Sequence, residues 1–336
     1  MNTNSSSVTG SHPAETPTAV QPHSTQSHPI QSRQRALVLG GGGSTGNAWL
    51  IGVVAGLVDA GCRVKDFDLI VGTSAGATAA AQITSGATPA ELFEAIMNER
   101  APSLPERELG GVSPQRSSMP PVAASEAPRR MVNGQLGATG EVIAASVDIT
   151  DMRRRIGAWA LSREASSDVA FQERWRATVA SRFVGDVWPE QRVFVTAVDA
   201  VSGDPLTFDS ESGVNLVDAV AASCSSGFAY QIGENHYVDG GYRTNADNAD
   251  VVKGYKEVLV LSPFGGRSRT PSEWGVDLAS QVSELRSAGS KVATIFPEGE
   301  AANYFGVNAM DLSLRPLAAQ AGFAQGRAAG QYVADA

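Results

Sequence analysis

The pattern of apolar and polar positions changes period repeatedly along this chain, and each change predicts an element. ALVLGGGGSTGNAWLIGVVAGLVDAG (36–61) reads as a short buried strand, a glycine-rich turn and an apolar helix ending at Gly61. FDLIVGTSAGATAAAQITSG (67–86) repeats the plan, with a strand Phe67–Val71, a sharp turn and an alanine-rich helix stopped by Gly86. Pro89-Ala90-Glu91 opens another helix, from Ala90 to about Arg100. Apolar strands alternating with helices predict a mainly parallel central sheet covered on both faces, a three-layer α/β/α fold.

Pro, Ser, Gly and Arg dominate residues 101–140, which read as a loop or cover longer than ordinary connections. Two helical stretches follow, about 139–162 and 168–184. RVFVTAVDAVSGDPLTF (192–208) is two strands around a Ser-Gly-Asp turn, a hairpin. Residues 215–226 look helical, HYVDGG (236–241) is a short strand entering a turn, and KEVLVLSPF (256–264) is a buried strand. Residues 272–333 read as mostly helical, interrupted around Phe296–Gly306. No internal repeat recurs at a fixed period. Residues 1–34 are rich in Ser, Thr, Pro, Gln and His, which predicts a disordered tail ahead of one domain, 35–336.

Composition narrows the function. Hydrophobic residues make up 42% of the 336, enough for a sizeable core. The charge is −9, from 26 basic and 35 acidic residues, which argues against nucleic acid as a partner. The two cysteines, Cys62 and Cys224, make neither a disulfide framework nor a zinc site. No apolar run reaches membrane-spanning length, and the N-terminus lacks the basic start and apolar core of a signal peptide, so a cytoplasmic location is expected. No Asp-rich loop or His/Cys cluster implies a metal, and no cofactor is expected.

Three motifs carry candidate chemistry. GTSAG (72–76) fits G-x-S-x-G, with Ser74 between a strand and a helix. A tight turn there exposes the hydroxyl, the flanking Gly72 and Gly76 let strand and helix approach, and the helix N-terminus favours developing negative charge. Gly42-Gly43-Ser44-Thr45-Gly46 fits the same pattern, so Ser44 is a rival nucleophile. Consecutive glycines make a nest of free N–H groups rather than a tight elbow, which favours Ser74 as nucleophile and the glycine run as the anion-binding half. Gly41, Gly43 and Gly46 also fit the dinucleotide fingerprint G-x-G-x-x-G, but Asp68 stands at the wrong end of the second strand to hold a ribose. The third motif is Asp239-Gly240-Gly241, either a plain turn or a carboxylate aimed into a cleft.

These blocks, in this order, resemble the patatin-like phospholipases. GGGGSTG (40–46) is similar to the family's oxyanion loop, GTSAG to its nucleophile elbow, and DGG (239–241) to its Asp-Gly-Gly/Ala motif; DAVAASCSSGF (218–228) is similar to its Ala-Ser segment. The resemblance covers roughly residues 35–265. It implies a serine lipid acyl hydrolase with Ser74 and Asp239 as a catalytic dyad, Gly41, Gly42 and Gly43 as the oxyanion hole, and Gly46, Gly72, Gly76, Gly240 and Gly241 as supporting motif positions. The family often has Arg or Lys where this chain has Thr45, and a proline near Ser225-Ser226-Gly227.

The histidine count agrees independently. Three of four histidines, His12, His23 and His28, fall in the tail, leaving His236. In an extended segment His236 and Asp239 point to opposite faces, so a Ser-His-Asp triad is not expected. A dyad demands that Asp239 be buried beside Ser74, which raises its pKa and makes it a better base. The segment 101–165 is the natural cover over the cleft, with Met119, Met131 and Trp159 as candidate channel residues. Arg129-Arg130 and Arg153-Arg154-Arg155 read as solvated helix faces or as contacts to lipid head groups. The expected partner is a lipid or acyl ester, with a peripheral membrane surface as a candidate. The competing readings are a nucleotide-binding protein using the 40–46 loop and a non-catalytic binding module of the same family.

Overall fold

The chain divides into two units, Met1–Ser32 and Arg33–Ala336. The computed structural model describes residue 1 and residues 35–99 and 123–333, and the fold below lies in the second unit. The expected tail, its three histidines and the first part of the cover with Met119 fall outside the described residues.

Strand β1 (Arg35–Leu39) leads into helix α1 (Gly43–Asp59), and β2 (Leu69–Gly72) into α2 (Ala75–Thr84). Helix α3 (Pro89–Met97) opens on a capping box in which Thr88 and Glu91 satisfy each other's backbone N–H groups. Then come α4 (Ala123–Ala144), α5 (Ile149–Leu161) and α6 (Val169–Ala180). Strands β3 (Val193–Asp199) and β4 (Pro205–Phe208) form the expected hairpin, followed by α7 (Leu216–Ser223), β5 (Tyr230–Ile232) and β6 (Asn235–Asp239). The last elements are β7 (Glu257–Leu261), α8 (Leu278–Ser287), β8 (Lys291–Ile295) and α9 (Arg315–Val333).

The sheet order is β5-β6-β3-β2-β1-β7-β8, with β4 also on β3. The pairs β3–β2, β2–β1, β1–β7 and β7–β8 are parallel, and β3–β4, β3–β6 and β6–β5 antiparallel. The twofold alternation of strand side chains splits β1 between two cores. Leu37 and Leu39 pack with α1, α2, α7 and Ala318 and Ala319 of α9 on one face; Ala36 and Val38 pack with Leu278, Val282 and Leu285 of α8 on the other. Both faces are covered, which is why β1 reads as a continuous apolar run. Helix α9 lies backbone-to-backbone on α1, because a Cβ at Gly52 or Gly322 would strike the carbonyl of Ala319 or Trp49.

Three expectations are corrected. The cover is helical from Ala123, although Gly134, Gly137 and Gly140 weaken its propensity. Tertiary contacts override that: Thr139 is buried, and Arg269 donates to the Leu136 carbonyl and the Thr139 hydroxyl at 2.6 and 2.8 Å. The single helix expected over 139–162 is two, because the Asp148 side chain accepts the Asp151 N–H at 2.8 Å and starts α5 anew. Within the supposedly helical 272–333, KVATI forms the edge strand β8 beside β7, as its β-branched residues favour. The three-residue strand β5 has no pattern of its own and exists by pairing with β6. Among the described residues no helix is long and apolar enough to cross a membrane.

Candidate active site

Ser74 sits between β2 and α2 with φ 53° and ψ −112°. Among the described residues only it and Asn248 combine a side chain with positive φ. Such a conformation costs about 1–3 kcal/mol and persists only where neighbours impose it. Here the Ser74 N–H donates to Ser223 Oγ at 2.9 Å, the Gly76 N–H to the Thr73 carbonyl at 2.8 Å, and the Thr78 N–H to the Ser74 carbonyl at 3.1 Å. Gly76 is required by close approach, since a Cβ there would collide with the Leu39 carbonyl; at Gly72 it would stand 2.6 Å from the Cα of Ala77.

Register brings Asp239 to this turn. Val195 of β3 pairs with Gly72, and Ala197, two residues on, with Asp239 at the end of antiparallel β6. Ser74 Oγ donates to Asp239 Oδ2 at 2.8 Å, and the Gly241 N–H donates to Oδ1 at 2.8 Å. Asp239 is 6% exposed, and burial pushes its carboxyl up to about 6 against the opposing pull of those two hydrogen bonds. Gly240 lies against Thr196, where a Cβ would meet both its hydroxyl and its carbonyl. Asn248, at φ 55°, spans the two motifs by donating to the Gly240 carbonyl at 2.9 Å and Thr73 Oγ1 at 3.0 Å.

The glycine run is divided in its use. The Gly40 N–H donates to the Leu261 carbonyl and the Gly41 N–H to the Ala246 carbonyl, at 2.9 and 2.8 Å. The expectation that Gly41 donates to an oxyanion is therefore corrected, because its N–H is already committed. The N–H groups of Gly42 and Gly43 have no acceptor among the described residues, and both glycines line the same cavity as Ser74 and Asp239. Gly43 takes φ 64°, which favours glycine, and the Gly46 N–H closes the turn on the Gly42 carbonyl at 3.0 Å.

The rival residues fall away from this arrangement. Ser44 accepts Arg315 Nη1 at its carbonyl and hydroxyl, 2.7 and 3.2 Å away, so a cation rather than a base faces it. His236 pairs with Gln231 and does not line the cavity. Asp68, at the far end of β2 from Ser74, accepts the Arg35 N–H at 2.9 Å and is not part of this arrangement. Thr45, the departure from the family's usual Arg or Lys, is buried and donates to the Tyr304 carbonyl at 2.8 Å, anchoring the C-terminal segment. Among the described residues no group of three or more His, Cys, Asp or Glu side chains is placed to hold a metal.

The site opens into a cavity of about 2070 Å³. Trp159, Phe171, Trp175, Phe228 and Phe305 supply apolar wall, and α4 and α5 contribute Leu136, Ile143 and Met152. Leu136, Ile143, Met152 and Trp159 fall within 123–165, the described part of the segment read as a cover. The Met131 side chain lies outside the described residues. Arg130 lines the cavity, while Arg129 reaches Asp311 at 3.8 Å. Arg153 is spent on the carbonyls of Gly203 and Arg243, both at 2.9 Å, and Arg154 and Arg155 face Asp151. Sequence reasoning missed two residues of the site, Ser223 and Asn248. Ser223 stands inside the quoted Ala-Ser segment, and nothing in NADNAD (245–250) marks Asn248.

A strained serine between strand and helix, hydrogen-bonded to a buried carboxylate and lining one largely apolar cavity with Gly42 and Gly43, defines a class of α/β proteins equipped for nucleophilic chemistry. The chain belongs to the patatin-like phospholipase family, whose model matches residues 37–251, more than half of its length. No curated protein matches it. Among solved structures it is similar to the type III effector protein ExoU, at 15% identity and TM-score 0.35, over 89% of this chain and 53% of that one. It is also similar to VipD from Legionella pneumophila, at 13% identity and TM-score 0.37, over 85% of this chain and 67% of that one. The chain spans about half the length of ExoU.

Proposed function

We propose that the protein is a serine lipid acyl hydrolase of the phospholipase A or esterase type, acting through a Ser74–Asp239 dyad and an acyl-enzyme. One observation carries the reading: the 2.8 Å hydrogen bond from Ser74 Oγ, on a strained turn, to a carboxylate buried enough to titrate near 6. A buried carboxylate of raised pKa is the kind of base that can take the hydroxyl proton as the oxygen attacks. Family membership and the aromatic wall of the cavity support an acyl chain as the bound group.

In the proposed sequence Ser74 Oγ bonds to the ester carbonyl carbon and its proton passes to Asp239. The carbonyl oxygen becomes an oxyanion and accepts from the N–H groups of Gly42 and Gly43, a contribution of about 3 kcal/mol per donor in comparable sites. The carbon–oxygen bond to the alcohol breaks, and the alkoxide takes the proton back from Asp239. Water then adds to the acyl-enzyme, giving one proton to Asp239. The tetrahedral species collapses, the bond to Ser74 Oγ breaks, and Asp239 returns that proton to Oγ, leaving fatty acid and free Ser74. An alcohol entering in place of water yields acyl transfer by the same steps.

The test is hydrolysis of p-nitrophenyl esters from acetyl to palmitoyl, with Ser74→Ala beside the wild type. The expected result is activity that peaks at one chain length and is lost in the variant. Equal activity of the two proteins overturns the reading.

A further inference from the structure

We propose that the cavity binds its acyl lipid by a negatively charged head group, held by Arg182 and Arg269, which line the cavity together with Ser74 and Asp239. This rests on the acyl hydrolase reading and names its substrate class.

The charge of the cavity is inverted relative to the chain. The protein carries −9 overall, yet six arginines and only three carboxylates line the cavity. Of those carboxylates, Glu99 is held by Arg315 at 2.7 Å and Asp239 by Ser74, leaving Glu164. Among the described residues neither Arg182 nor Arg269 has a carboxylate within 4 Å, nor do Arg163 and Arg267 at the same cavity.

Both arginines line the cavity onto which the reacting pair opens. The Arg182 carbonyl accepts Gln82 Nε2 at 3.0 Å, tying it to the helix that follows Ser74. Its guanidinium lies over the Trp175 ring, 5.5 Å from the centroid, and its charge reaches Cys224, whose thiol is 3.2 Å from the Ser74 carbonyl. Arg269 lines the same cavity, and its charge reaches Tyr242, three residues beyond Asp239. It is fixed on α4 by Leu136 and Thr139 at 2.6 and 2.8 Å, and burial lowers its pKa. A partly desolvated guanidinium satisfied by neutral acceptors has electrostatic attraction in reserve for an anion. Arginine's planar fork suits a phosphodiester, and the aromatic wall beside Arg182 suits the chain attached to it. The position of Thr45 holds no cation, so these residues supply the positive charge from other elements.

The experiment compares kcat/KM on phosphatidylglycerol and phosphatidylcholine in the same neutral detergent micelle, for wild type and for the double variant Arg182→Gln/Arg269→Gln. The expected wild-type preference for the anionic lipid is about tenfold or more, carried by KM and reduced by salt; in the double variant the ratio falls towards one. Binding is read separately, by calorimetry of Ser74→Ala with lysophosphatidylglycerol, lysophosphatidylcholine and inorganic phosphate. Tighter binding of the anionic lysolipid than of either other ligand supports the proposal even if no ester is hydrolysed, in which case only the hydrolase reading fails. Equal binding of the two lysolipids, inorganic phosphate binding as tightly as the anionic lysolipid, or a wild-type ratio that the double variant leaves unchanged overturns it.

Discussion

Ser223 Oγ accepts the backbone N–H of Ser74 at 2.9 Å, so the last residue of α7 holds the turn that presents the proposed nucleophile. Ser223 is fully buried. Ser223→Ala leaves that N–H without its acceptor, at a cost of about 1–3 kcal/mol. The strained φ of Ser74 then loses one of its restraints. We expect a lower unfolding temperature and a kcat about tenfold lower with KM nearly unchanged, read by thermal unfolding and steady-state kinetics. An unchanged kcat would show that the bond does not position the serine.

Asp239 links activity and stability to pH in opposite directions. Its carboxyl is raised to about 6 by burial, so kcat/KM on a neutral ester should climb through pH 6 and level off above it as the base ionises. For stability, an acid raised on folding binds its proton more tightly in the native state. Stability is full below the ordinary value of 3.8 and falls as pH rises through about 6. Asp239→Asn should therefore abolish turnover, leaving less than about one hundredth of the wild-type rate. The same variant should be more stable than wild type at pH 8, by up to about 3 kcal/mol for the two pH units separating the values. Chemical denaturation at pH 4 and pH 8 measures it, and a variant less stable at pH 8 contradicts the electrostatic account.

Asp247 separates the two effects. It is 2% exposed, its Oδ1 has no hydrogen-bond partner among the described residues, and burial pushes its carboxyl up to about 7. By the same sign it lowers stability as pH rises from about 4 through 7. Asp247→Asn should raise the unfolding temperature at pH 8 by several degrees and leave the pH midpoint of catalysis near 6. A shifted catalytic midpoint would assign that ionisation to Asp247 instead of Asp239.

The glycine loop makes a comparison between two strained glycines. Gly43 has φ 64°, and an added Cβ would stand 2.8 Å from the Ala309 carbonyl, so Gly43→Ala displaces an N–H proposed to face the oxyanion. Gly61 has φ 98° with nothing within 4 Å, so Gly61→Ala adds strain alone. We expect Gly43→Ala to lower kcat by about 100-fold or more. Gly61→Ala should lose about 1 kcal/mol of stability and keep its kcat. Equal kinetic effects would remove the loop from catalysis.

How far the sequence reports this molecule differs between regions. The first two strand–turn–helix units were legible because β1, α1, β2 and α2 are buried and apolar, and local pattern and tertiary role agree there. The pairing of Ser74 with Asp239 was legible through two motifs whose glycines are set by sterics, at Gly76 against Leu39 and at Gly240 against Thr196. Helix α4 was not, because its glycines deny it local propensity and its order comes from Arg269, 130 positions away from Thr139 in sequence. Strand β8 was not, because five residues at a sheet edge carry little periodicity. The division of labour in the glycine run was equally hidden. Which N–H groups remain free depends on the carbonyls of Leu261 and Ala246, which only the folded chain brings near.

The central claim is that the hydroxyl of Ser74 is the nucleophile, and intact-protein mass spectrometry after reaction with a fluorophosphonate tests it most directly. Wild type and Ser44→Ala should each gain one phosphonyl group, mapped to Ser74 by proteolysis, while Ser74→Ala gains none. Stoichiometric labelling of Ser74→Ala, or loss of labelling in Ser44→Ala alone, would contradict it.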